Sequence, residues 1–116
     1  MRAVDLFEMS NIRKTESGLP VNIYVSSGGS VIKQHGPRIK VMTDAGDRFN
    51  PTQAVSVLLK PNITAEDVVG YNRLPESTLR AVRAYINLNY TVLLAYWNDE
   101  ISTREMILSL QALPKD

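Results

Sequence analysis

Cysteine is missing from the 116 residues, and histidine and tryptophan occur once each, as His35 and Trp97. The first absence excludes disulfides, thiolate catalysis, and zinc or iron–sulfur sites with cysteine ligands. The second means that a catalytic triad or imidazole acid–base pair must use His35 or do without it. A dominant charge is missing too. Thirteen Lys and Arg face 12 Asp and Glu, a net charge of +1, which gives no global field to draw nucleic acid or an anionic membrane. No run approaches the roughly 18 apolar residues of a spanning helix, and residues 1–12 lack the apolar segment of a secretory leader. A cytoplasmic protein without membrane contact is the expectation.

Motifs for small-molecule chemistry are scarce as well. The clusters Ser27-Gly28-Gly29-Ser30 and Ala45-Gly46 fit neither phosphate-binding glycine pattern and read as turns. Asp44-Ala45-Gly46-Asp47 is too short for a calcium loop, whose ligands spread over about twelve positions. The adjacent acids Glu66/Asp67 and Asp99/Glu100 form no evident dyad. No cofactor, no metal site and no catalytic residue are expected, and the chain is read as a non-enzyme.

What the sequence does contain is a core. At this length one domain over 1–116 is expected, with 1–18 an edge strand or a flexible arm. Hydrophobic residues make up 44 % and charged residues 22 %, the balance of a globular protein. From Leu74 to Trp97 one apolar stripe, Leu79, Val82, Ile86, Leu93 and Trp97, recurs at steps of three and four, the period of an amphipathic helix. Pro75 suits its first turn, and Glu76 complements the N-terminal dipole. Asn87-Leu88-Asn89 predicts a kink or short break, because asparagine competes for backbone hydrogen bonds.

Before the helix the period falls to two. Val21, Ile23 and Val25 alternate with Asn22 and Tyr24, and Ile39 and Val41 alternate with Arg38, Lys40 and Met42. Residues 54–60 make a further strand confined by Pro51 and Pro61. Residues 62–73 admit two readings: a helical turn capped by Thr64 with Asp67, or a short strand through Val68-Val69. The segment 101–113, with Thr103 as its N-cap, is a short helix or an extended return. Short turns between strands call for antiparallel pairing. The predicted fold is α+β, a small antiparallel sheet of three to five strands packed against a long or kinked C-terminal helix.

Several of these pieces occur together in a known arrangement. His35-Gly36-Pro37-Arg38-Ile39-Lys40-Val41, Leu74-Pro75 and Leu93-Leu94-Ala95-Tyr96-Trp97 resemble the small bacterial family called domain of unknown function 4160, over roughly residues 19 to 110. The resemblance implies a few antiparallel strands, a His-Pro turn leading into a strand, and a helix ending in Leu-Leu-x-x-Trp. Members carry further histidines around that turn, whereas this chain has Arg38 and Lys40 on the strand. The family has no settled activity; its association with toxin–antitoxin and mobile-element genes implies a binding role.

The binding candidates are therefore a basic strand and a cluster of tyrosines. Lys33, Arg38 and Lys40, with His35 in the adjoining turn, would put positive charge on one edge of the sheet. Arg13 and Lys14 would extend it for a nucleic acid. Arg80 and Arg83 read as the solvated flank of the helix. Tyr85, Tyr90 and Tyr96 crowd the end of the helix with Trp97, and some should be exposed, since tyrosine is enriched at interfaces. The expected function is a non-catalytic protein-interaction module, antitoxin-like or a phage-encoded inhibitor such as an anti-CRISPR. Its partner would be another protein or complex, acidic in character, with a homodimer through the tyrosines as a further expectation. The alternative is a nucleic-acid-binding module on the basic strand. An enzyme using His35 ranks last.

Overall fold

The computed structural model describes residues 9–26, 36–44, 46, 53–70 and 73–114. Five strands form one antiparallel sheet in chain order: β1 (Met9–Ile12), β2 (Ile23–Ser26), β3 (Arg38–Met42), β4 (Ala54–Leu58) and β5 (Val68–Val69). Among the described residues the helices are a single turn α1 (Lys14–Ser17), the long α2 (Glu76–Trp97) and a short α3 (Thr103–Ser109). The expected α+β architecture is therefore present, with five strands.

Register fixes which side chains meet the helix. Ser10, Val25, Ile39, Val57 and Val68 lie opposite one another across the sheet, as do Ile12, Ile23, Val41 and Val55. Directly opposed residues share a face. On this face Ile23, Val25, Val41 and Val57 are 0 % exposed, and the Ser10 hydroxyl meets the Tyr96 hydroxyl of α2 at 3.3 Å. All five residues of the predicted stripe are buried against it. Each full burial of a Val, Leu or Ile side chain contributes about 1.5–3 kcal/mol, so this one layer holds the domain.

Between β1 and β2 the chain turns at α1. The Glu16 carboxylate accepts the Arg13 backbone N–H at 3.0 Å, and the buried Asn22 side chain accepts that of Lys14 at 2.8 Å. Gly18 ends the turn at φ +82, and a Cβ there would lie 2.9 Å from the Leu113 carbonyl oxygen. Only glycine suits both the dihedral and the approach. The Leu113 N–H then donates to the Ser17 carbonyl at 2.8 Å, so the segment after α3 closes against this corner.

Both readings of residues 62–73 are realised in sequence. Thr64 caps a 3-10 turn over Ala65–Asp67, with its N–H donating to Asp67 Oδ2 at 2.8 Å, and β5 follows at once. Gly70, at φ +144, ends the strand.

Four expectations are corrected. The helix α2 runs unbroken through Asn87-Leu88-Asn89, because Asn87 bonds to Asn62 and Asn89 divides its side chain between Gln111 and the Tyr85 carbonyl one turn back. Asn87 Oδ1 accepts the Asn62 N–H at 2.9 Å, while its amide donates to Asn62 Oδ1 at 3.0 Å. Asn89 accepts the Gln111 N–H at 2.8 Å and donates to the Gln111 carbonyl at 2.9 Å. It closes a bridge with backbone on both sides, as a neighbouring strand would. The second concerns the alternation: Asn22, Tyr24 and Met42, set apart from the inward residues, are buried as well. The third concerns α3, whose N-cap is Ser102, not Thr103; its hydroxyl accepts the Glu105 N–H at 3.1 Å. The fourth is Arg83, which is half-buried and donates from Nε to the Ile63 carbonyl at 2.8 Å.

Candidate binding surfaces

Two surfaces converge on the β5 edge. The first is the sheet face turned away from the Ile23–Val41 layer. Alternation along each strand sets Asn11, Tyr24, Lys40, Ser56 and Val69 in one row across all five strands, with Arg38 opposite Leu58 beside it. Among the described strand residues the charged ones are Arg38 and Lys40. Both lie on this face, Lys40 exposed and Arg38 half-buried. Tyr24, Ser26, Met42 and Ser56 of the same face are buried. What remains accessible is a patch over β3 to β5 with two cations at one side and two aliphatics, the half-buried Leu58 and the 46 % exposed Val69, at the other.

Of the other residues expected to bind, Lys33 and His35 lie outside the described residues. The tyrosines need correction. Tyr85 is 1 % and Tyr96 3 % exposed, and Tyr90 is half-buried against the core. The Tyr96 hydroxyl sits between α3 and β1, reaching Thr103 Oγ1 at 2.9 Å as well as Ser10. Burial keeps the Tyr85 phenol protonated, pushing its pKa up to about 12, and the Glu16 charge adds to this. These two rings are structural, which leaves Tyr90 as the partly exposed member of the cluster.

The second surface was not read as a site in the sequence. A cleft of about 480 Å³ opens between β5 and the first turns of α2, lined by Ala65, Glu66, Val68, Gly70, Arg73, Leu74, Glu76 and Leu79. Its residues come from the 3-10 turn, the strand, the following loop and the helix, so no spacing in the chain announces them. Beside it the Asp67 carboxylate is held below its usual range by the Thr64 backbone N–H and by Lys60, whose Nζ stands 3.0 Å from Oδ1. That arrangement fastens the 3-10 turn and leaves Glu66 exposed at the cleft.

Among the described residues no group of three His, Cys, Asp or Glu is placed to hold a metal ion, and no helix is long and apolar enough to cross a membrane. Compared with known protein families, with curated proteins and with solved structures, the chain finds no match.

Proposed function

We propose that this chain is a non-catalytic protein-interaction module that docks an acidic partner surface on the face of its sheet turned away from the Ile23–Val41 layer. Lys40 and Arg38 supply the charge, and Leu58 and Val69 the apolar contact. One observation carries this reading: every charge in the described strands is a cation on the face turned away from the buried layer. Placing two cations beside exposed aliphatics costs the fold little and gives a partner both steering and a patch to desolvate. An antitoxin-like or phage-encoded inhibitor acting in the cytoplasm is the form of the function we favour, because one small domain can act by covering a surface. The burial of Tyr24, 7 % exposed, supports a protein over a nucleic-acid strand, since it withdraws the ring on which a base would stack.

Affinity capture from host lysate tests the reading, with the wild type beside Lys40→Glu. A protein retained by the wild type should be lost from the variant, and its retention should fall between roughly 50 and 200 mM salt. Equal retention by both chains would overturn the reading. So would a captured partner that is only nucleic acid and disappears on nuclease treatment.

A further inference from the structure

The cleft between β5 and α2 offers a second surface with a different chemistry. Its floor is aliphatic from both sides, with Val68 on the strand, Leu74 in the loop and Leu79 on the helix. Its volume of about 480 Å³ falls within the range of roughly 300–1,000 Å³ typical of ligand pockets. Charges of both signs, Glu66, Arg73 and Glu76, stand exposed at its rim. Among the described residues Arg73 is not ion-paired with either glutamate, in contrast to Lys60 with Asp67 at 3.0 Å. Gly70, without a side chain, leaves the backbone bare in the wall. Charges so arranged around an apolar floor suit a ligand that brings its own opposite charges and an aliphatic group between them.

We infer that this cleft takes an extended peptide segment whose aliphatic side chain seats on Val68, Leu74 and Leu79, with a cation toward Glu66 and Glu76 and an anion toward Arg73. The inference rests on the protein-binding reading for its class of ligand, but the surface is separate from the Lys40 patch. Addition of a strand to the sheet contributes little. β5 has two residues, and the Val68 N–H is already given to the Ala65 carbonyl, so few ladder bonds are left to make. Selectivity must therefore come from the side chains: the floor chooses the aliphatic group, and the rim chooses a pair of opposite charges over a like-charged pair.

Amide spectra of the isotope-labelled full chain, titrated with capped tripeptides, test this. The probes are Lys-Leu-Asp and Asp-Leu-Lys, with Lys-Gly-Asp and Asp-Leu-Asp as comparisons. Binding of at least one mixed-charge leucine peptide, in the millimolar range, should shift resonances of residues 65–70 and 73–79. Affinity should fall about tenfold for the glycine peptide and for the Arg73→Glu chain. Lys40→Glu should bind the tripeptide as the wild type does, which separates failure at the sheet face from failure here. Absence of shifts in those segments with both leucine peptides, or equal shifts with Lys-Gly-Asp or Asp-Leu-Asp, would overturn the inference. Since Arg73 is exposed, preserved spectral dispersion in Arg73→Glu confirms that any loss belongs to the cleft.

Discussion

Asn89 is a polar side chain in an apolar place, 2 % exposed, and three hydrogen bonds account for it. Its amide nitrogen serves the Tyr85 and Gln111 carbonyls at 3.1 and 2.9 Å, and its oxygen takes the Gln111 N–H at 2.8 Å. Gln111 is exposed and these two bonds are part-buried, so its freed backbone groups turn to water and the loss is that of the bonds themselves. Asn89→Ala should therefore lower the unfolding free energy by roughly 1–2 kcal/mol, read from the denaturation midpoint. Asn89→Leu should fare no better despite its higher helix propensity, because the loss is at the Gln111 backbone and not in α2. If Asn89→Leu were as stable as the wild type, the bridge would contribute nothing. Residue-level chemistry also explains the failure of the expected kink. Local propensity treats asparagine as a competitor for its own backbone; Asn89 makes one such bond, to the Tyr85 carbonyl, but Asn87 and Asn89 otherwise reach residues 25 and 22 positions away.

At the scale of elements, the features that follow a local period were legible and those assembled from distant pieces were not. The α2 stripe was readable because one face meets one sheet, and the alternation of Ile39 and Val41 was readable for the same reason. The alternation rule failed at Tyr24 and Met42, since it assumes that a sheet's second face meets water, and at these positions it does not. The cleft failed for another reason: Glu66, Arg73 and Leu79 become neighbours only when a 3-10 turn, a loop and a helix are in place. Caps, by contrast, are local, and two of them carry a pH signature. The Glu105 carboxylate is lowered chiefly by the Ser102 N–H, which reaches Oε1 at 3.0 Å, and Asp67 is lowered by the Thr64 N–H. Both groups bind protons less readily in the folded chain, so their contribution is present above the ordinary carboxylate values of 4.5 and 3.8. It is lost as the pH falls through the lowered ones. Unfolding free energies measured from pH 7 to about 2 should show this acid limb, and Glu105→Gln with Asp67→Asn should flatten it. An unchanged limb in the double variant would assign acid lability elsewhere.

The whole molecule has its own alkaline limit. Tyr85 lies in the common core that joins α2 to the sheet, and its phenol ionises near pH 12, against 10.0 when free. Above pH 10 the unfolded chain loses this proton first, so stability falls as pH rises and the penalty is complete near the folded value. Two pKa units correspond to roughly 2–3 kcal/mol. Tyr85→Phe should abolish that part of the alkaline decline, and phenolate absorbance should report one late-titrating tyrosine whose ionisation coincides with unfolding. A Tyr85→Phe curve parallel to the wild type would remove Tyr85 as the cause. Stability of the whole thus rests on rings that the sequence alone had offered to a partner.

The bond from Leu113 to Ser17, with Gly18 pressed beneath it, has a consequence for how the protein is made. Synthesis is directional, and the β1–α1 corner leaves the ribosome long before the residues that seal it. The antiparallel hairpins can zip as they emerge, because each strand pairs with the one made just before it. The seam cannot. Until residue 113 is free, the Ser17 carbonyl lacks its partner, and until residue 111 arrives the Asn89 side chain waits with its polar atoms facing an unfinished core. The N-terminal corner is therefore among the last parts of the fold that can be sealed. A nascent chain whose residues 111–113 are still inside the ribosome keeps that corner open to a chaperone.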